Sequence, residues 1–156
     1  MKEAAVRFYV DADILGLAKA LCVVRNDVTY PGFAGGDKKY GRVRPPCPIT
    51  TTKTNDTVWI PETAQGGWLI ITRDSAIQGR TAEINAVRES GARMIALNGK
   101  DSITAWDQLD IVMKRWNRIE ALFDEPGPFI YSVSKTSWRK VPLSSRPRAR
   151  RGPRPI

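Results

Sequence analysis

Seven consecutive residues, Trp68-Leu69-Ile70-Ile71-Thr72-Arg73-Asp74, constrain the fold of this chain more than any others. Large apolar residues follow Gly66-Gly67 and stop at Thr-Arg-Asp. A short, unbroken apolar run of this kind predicts a strand buried on both faces, as in a parallel sheet covered by helices. The N-terminus carries the same pattern. Val6-Arg7-Phe8-Tyr9-Val10 reads as a strand and ends at Asp11, with Asp13 two residues on. In open parallel sheets ligands bind beyond the carboxyl ends of the strands. If the two strands are neighbours, Asp11 and Asp74 converge there, and that pair is the first candidate site.

Around these strands the pattern alternates. Ile14 to Val24 is apolar nearly all round and rich in helix formers, which predicts a largely buried helix starting near Ala12. Asp27 to Tyr30 reads as a short second strand. Residues 31–53 hold Pro31-Gly32, Gly35-Gly36, Pro45-Pro46 and Pro48, a density that stops helix and strand alike, together with Lys38, Lys39, Arg42 and Arg44. Such a basic loop insertion, with Tyr30, Phe33 and Tyr40 among the cations, suits lying over a polyanion. Asp56 is placed to cap a short helix that ends at Gly66, and Pro61 inside it predicts a bend or a break.

Thr81 caps a helix over residues 82–90, closed by Gly91, and Met94 to Leu97 is a further strand. After Ser102 or Thr104 comes the longest helix. Its apolar residues Ile103, Trp106, Leu109, Val112, Met113, Trp116, Ile119, Leu122 and Phe123 step by three and four. Pro126-Gly127-Pro128 ends it, and Phe129 to Val133 is a last strand, expected at a sheet edge. Trp59, Trp68, Trp106 and Trp116 are expected in the core. Strands alternating with helices give the α/β class with a mostly parallel sheet. Residues 1–143 read as one domain. Residues 144–156 form a Pro/Arg tail expected to stay disordered.

The chain contains no histidine, which excludes Ser-His-Asp and Cys-His mechanisms of the usual type and any His-ligated zinc site. Cys22 and Cys47 lack metal-ligand spacing. Cys22 falls in the apolar helical run and is expected in the core, and Cys47, between prolines, is given no role. Chemistry is left to carboxylates, hydroxyls, Lys, Arg or a bound metal. The net charge is +9, and the five arginines of the tail leave the remaining body still basic. That balance favours RNA, DNA or an acidic protein as partner. No stretch reaches the roughly 20 apolar residues of a membrane span, and Met1 to Ala5 lacks the apolar segment of a signal peptide. A cytoplasmic setting without membrane contact is therefore expected.

A strand-end cluster of carboxylates without histidine suits a hard divalent cation. Mg2+ takes oxygen ligands, keeps several waters and binds through one or two carboxylates plus substrate phosphate. Such a site can activate water and neutralise charge on a phosphodiester. Asp11 and Asp74 come first. Asp56 is third, because a helix N-terminus beside the sheet end can project it to the same place. Asp13 and Glu62 form a second tier. Glu62 lies about 600° round a helix from Asp56, so both serve one site only if Pro61 bends the segment. Arg73 and Arg80 flank Asp74 and can hold a phosphate bidentately, and Lys38 and Lys39 join them from the basic loop.

Three stretches in order, Phe8 to Gly16, Asp56 to Glu62 and Gly67 to Asp74, resemble the PIN-like domains of VapC-type toxins. The resemblance is to the compact branch with a strand ending in Asp, a D-x-x-W-x-P helix start and a strand ending in T-R-D. Phe129-Ile130-Tyr131 resembles that branch's last strand, so the resemblance covers residues 7–133. It implies a three-layer PIN-like α/β fold with helices flanking a mostly parallel central sheet. It also implies an acidic Mg2+ or Mn2+ site, with Asp11, Asp56 and Asp74 as its acids, and endoribonuclease activity. In bacteria it implies a toxin of a type II toxin-antitoxin pair, restrained by a cognate antitoxin protein. Apart from the resemblance, a second copy of the chain is a further candidate partner. The pattern usually supplies another acid after the third strand. Here that region reads Met94 to Lys100 and then Asp101.

Two rival readings remain. Val10-Asp11-Ala12-Asp13 matches the strand-D-x-D opening of haloacid-dehalogenase-like phosphatases, with Thr72 as the strand-end hydroxyl and Lys100, Asp101 and Asp107 standing in for the remaining groups. Alternatively the PIN-like scaffold is a non-catalytic module that binds nucleic acid or an antitoxin, its tail acting by counterion release.

Overall fold

The computed structural model describes residues 2–73 and 81–143. Asp74, Arg80 and the whole Pro/Arg tail lie outside the described residues. Among those described, six strands form one sheet in the order β2-β1-β5-β6-β7-β8, where β1 is Phe8–Val10, β2 Val28–Thr29, β5 Leu69–Arg73, β6 Arg93–Leu97, β7 Phe129–Val133 and β8 Trp138–Lys140. All neighbours pair in parallel except β7 with β8. A separate antiparallel hairpin, β3 (Lys38–Lys39) with β4 (Arg42–Val43), lies within the Gly/Pro-rich insertion. The α/β class with a mostly parallel sheet is as the alternating pattern predicts.

The unbroken apolar runs are explained by cover on both faces. Successive strand side chains point to opposite faces. Phe8, Val10, Leu69, Ile71, Ile95, Leu97, Phe129 and Val133 pack with α1 (Leu15–Val24), α4 (Ala105–Lys114) and α5 (Trp116–Ala121). Tyr9, Ile70, Met94, Ala96 and Ile130 pack with α2 (Asp56–Gly66) and α3 (Thr81–Ser90). This gives three layers, with β1 and β5 side by side in the middle.

Several expectations change. Trp106 is not in the core; it is 80% exposed. The buried residues of α4 are Gln108, Ile111 and Val112, and at 100° per residue Trp106 falls at least about 120° from each of them. Trp59 is buried, whereas Trp68 and Trp116 are only half-buried. The end of α1 is not buried either, since Val23 and Val24 are exposed. The long helix divides at Arg115, whose φ of −100° and ψ of 8° leave the helical region. α2 runs on through Pro61 as one element. The carbonyl that Pro61 leaves without a donor belongs to Thr57, which is exposed, so water can satisfy it. Its N-cap is Asn55, accepting from the Thr57 N–H at 3.0 Å, and its C-cap is Gly67 at φ 73°.

β7 is not an edge strand. Trp138-Arg139-Lys140 adds β8 beyond it, and Trp138 packs on Tyr131 with ring centroids 5.4 Å apart. A three-residue strand with two cations hides from a hydrophobic-run reading, and short, charged strands are how sheet edges avoid further pairing.

The insertion is tied down by Arg44, which is 2% exposed. Its guanidinium donates to Cys22 O (3.0 Å) and Arg25 O (2.9 Å), where α1 runs out of helical donors, and to both carboxylate oxygens of Asp37. The same group lies 5.2 Å from the Phe33 ring centroid. The hydrogen bond from Arg44 holds the Asp37 carboxyl below its ordinary range.

Candidate functional site

Asp11 follows β1 and is fixed through backbone and side chain alike. Its N–H donates to Ile71 O at 2.9 Å, which continues the β1–β5 ladder by one residue. Its Oδ1 accepts from the Ala12 N–H at 2.6 Å, so it caps the 3-10 turn Ala12–Ile14. Its Oδ2 accepts from the Thr72 hydroxyl at 2.8 Å. Both oxygens of Asp13 lie 3.5 Å from that same hydroxyl. Thr72 is buried, Asp11 half-buried and Asp13 exposed. Two carboxylates from the β1 end therefore meet one hydroxyl from the β5 end, at the carboxyl side of the sheet.

Asp56 opens α2 beside them. Its Oδ1 accepts from the Trp59 indole N–H at 2.8 Å. The Trp59 ring stacks on Tyr9, centroids 5.2 Å apart and planes 25° off parallel, and Tyr9 stands two residues before Asp11 on β1. Burial, then the charges of Asp11, Cys47 and Asp56, push the Tyr9 phenol well above its ordinary range. The phenol thus feels both acids, and the Tyr9–Trp59 stack is the rigid link between the end of β1 and the start of α2.

The other sequence candidates are distributed as follows. Arg73 closes β5, is half-buried and donates through Nε to Ser102 Oγ at 3.2 Å. Glu62 is exposed on the second half of the unbroken α2, away from Asp56. Lys38 and Lys39 lie in the β3–β4 hairpin. That hairpin is tied to the far end of α1 by Tyr40 Oη donating to Val24 O (2.7 Å) and Asn26 Nδ2 donating to Lys39 O (3.4 Å). Since α1 leaves the sheet at Asp11 and returns to the start of β2, the two lysines sit at the opposite end from the acids. Asp74 and Arg80 are outside the described residues. Glu83 was missed: a helical reading passes over it, yet it is a buried acid in the first turn of α3. Cys22 is half-buried against the core and Cys47 is buried, and burial pushes both thiols up.

Among the described residues no three His, Cys, Asp or Glu side chains are close enough to hold an ion together. The Asp11–Asp13 pair, with the Thr72 hydroxyl orienting Asp11 from behind, offers oxygen ligands only. It fits a cation that binds through one or two carboxylates and retains water, as Mg2+ and Mn2+ do, and it offers none of the nitrogen or sulfur that zinc takes.

Thr72→Val keeps the buried shape and removes the hydroxyl that orients Asp11. Losing such an outer partner typically costs metal affinity or activity by a factor of about 10–100. If the pair binds Mn2+, the concentration giving half-maximal binding by calorimetry should rise about tenfold, with the melting temperature nearly unchanged. An unchanged Mn2+ midpoint would remove Thr72 from the site.

A family model described as a PIN like domain matches residues 7–99, more than half of the chain, a span that holds Asp11, Asp13, Asp56, Thr72 and Arg73. No curated protein and no solved structure matches the chain.

Proposed function

Because the chain belongs to the PIN-like domain family, a nuclease-type superfamily, we propose that it is a metal-dependent endoribonuclease. The observation that carries this reading is the pair Asp11 and Asp13 meeting the Thr72 hydroxyl at the carboxyl end of β1 and β5. Asp11 and Asp13 hold a Mg2+ or Mn2+ ion. Asp74 would be the third acid on the ion, and Asp56, its Oδ1 engaged by Trp59, would act on the ion's bound water rather than as a direct ligand beside that pair. Thr72 orients Asp11, and Arg73, anchored on Ser102 through Nε, presents its terminal nitrogens to the phosphate beside the scissile bond. When bound, the ion lowers the pKa of attacking water and neutralises charge on the phosphodiester. Helices α1 to α4 all start at this side of the sheet, and the partial positive charge of helix N-termini favours a phosphate there.

The toxin role follows from the resemblance to VapC-type proteins. It finds support in an apolar groove between α1 and α4, a cavity of about 530 Å³ whose lining includes Leu21, Val24, Leu109 and Met113. Val24 and Met113 are 59% and 65% exposed, the exposure of residues that await apolar side chains of a protein such as an antitoxin. Among the described residues no helix is long and apolar enough to cross a membrane.

The deciding experiment incubates the purified protein with mixed RNA and with DNA in Mg2+, in Mn2+ and in a chelator. RNA cut at internal bonds only when metal is present is the expected result. Cleavage that persists in chelator, or RNA left intact with either ion, would end the reading. Release of phosphate from small phosphomonoesters would favour the phosphatase alternative instead.

A further inference from the structure

We propose that a single-stranded polynucleotide leaves the acid site toward β8, along a line of cations formed by Arg73, Lys100, Lys135 and Arg139. The inference deepens the nuclease reading and rests on it for the position of the cut, but the line itself comes from the sheet's register. Thr72 pairs with Ala96, Ala96 with Ser132, and Ser132 with Arg139. Arg139 therefore stands level with Thr72, three strands away, or about 14 Å along the sheet. Arg73 ends β5 on the sheet's other face and reaches the strand-end loops through its bond to Ser102 Oγ at 3.2 Å. Lys100 follows β6 in the 3-10 turn Lys100–Ser102, and Lys135 lies in the turn between β7 and β8. The loops after β6 and β7 run side by side: a Cβ on Gly99 would sit 3.6 Å from Ser134 Cβ.

The turn carrying Lys135 is held firmly. Arg115 donates to Ser134 O at 2.9 Å and to Ser137 O at 3.2 Å, and the Ser134 and Ser137 hydroxyls are 2.7 Å apart. Lys100, Lys135 and Arg139 are all exposed. Among the described residues none of them pairs with a carboxylate, whereas the next cation, Lys140, is held by Glu125 at 2.8 Å. Asp101 is the exposed acid beside Lys100. Protection of an open sheet edge would account for Arg139 and Lys140. It does not account for Arg73 and Lys100, which continue the line inward to the acids. In a chain of net charge +9, the chemistry that fits such a line is a phosphodiester backbone, contacted without regard to base.

The competing path runs the other way, toward the hairpin with Lys38 and Lys39. Two double variants separate the paths with the same change in net charge: Lys135→Glu with Arg139→Glu, and Lys38→Glu with Lys39→Glu. Binding of a labelled oligouridylate and of the matching oligothymidylate is followed by fluorescence anisotropy in chelator across a salt series, after melting curves confirm that each variant is folded. The β8 double should bind about tenfold more weakly, and its log-affinity against log-salt slope should fall by about 1.4, two contacts at ~0.7 each. The hairpin double should stay within about twofold of the wild type. Equal losses in both doubles, a larger loss in the hairpin double, or no loss at all overturns the path. Tighter RNA than DNA binding assigns the line to RNA, and equal binding assigns it to the shared backbone. Cleavage is scored separately in Mn2+. A wild type that binds through Lys135 and Arg139 but cuts neither polymer keeps the line and removes the nuclease reading. A wild type that cuts while the β8 double binds and cuts as well as it does removes the line alone.

Discussion

Asp11→Asn should reduce RNA cleavage by about 10³-fold or more, the equivalent of ~4 kcal/mol of transition-state stabilisation. The substitution is chosen for what it keeps. The amide oxygen can still accept from the Ala12 N–H, now at 2.6 Å from Oδ1, while the amide NH2 in the place of Oδ2 can donate to the Thr72 hydroxyl, now at 2.8 Å. The 3-10 turn stays capped and the melting temperature should barely move. What disappears is the negative charge. That charge serves a cation and repels a phosphate, so RNA binding in chelator should hold or tighten slightly while turnover collapses. Single-turnover cleavage at saturating Mn2+ reads the chemical step directly. A variant that cuts within about tenfold of the wild type would place the metal elsewhere.

Arg44→Met should lower stability by about 3 kcal/mol at neutral pH. Methionine fills much of the space, but it leaves the carbonyls of Cys22 and Arg25 without their buried donor and Asp37 without its partner. The Asp37 side chain is 44% exposed, so water screens the ion pair and most of the loss comes from the two carbonyls. The pH dependence has a fixed sign. Asp37 is held below its ordinary value by Arg44. Its contribution is therefore fully present above the unfolded carboxyl pKa of about 3.9 and is lost as pH falls through the lower folded value. Urea melts of wild type and variant should show a gap that is constant near neutrality and narrows only in that acid window. A gap that widened on acidification, or one below about 1 kcal/mol at neutral pH, would contradict the clamp.

The strands that carry the site were the most legible part of the sequence. β1 and β5 are buried on both faces, so their apolar runs are unbroken and end where the polar chemistry begins. Strand order was less legible. Nothing in the residues themselves says that β5 lies beside β1 with Ile71 opposite Val10, and only that pairing sets the Thr72 hydroxyl on Asp11. Asp13 ranked below Asp56 on sequence, yet the capped turn after β1 carries it to Thr72, while Asp56 is engaged by an indole that no spacing rule announces. Trp106 shows the limit of periodicity. A residue on a three-four step can still face water, because the buried stripe is fixed by what packs on the helix. β8 escaped because Trp-Arg-Lys has neither the length nor the pattern of a strand. Asp74 and Arg80 fall outside the described residues and stand as expectations.

The bond between Thr72 and Asp11 joins residues 61 apart in the chain, and this separation has a consequence during synthesis. The first strand, with Asp11 and Asp13, leaves the ribosome before Asp56. Until β5 has emerged as well, no strand lies beside β1 to supply the hydroxyl. Closing so long a loop is slow compared with forming a helix. A growing chain halted within α2 therefore carries three of its acids but no assembled centre. If the protein cuts RNA, the message being translated is spared its own product until β5 has been made.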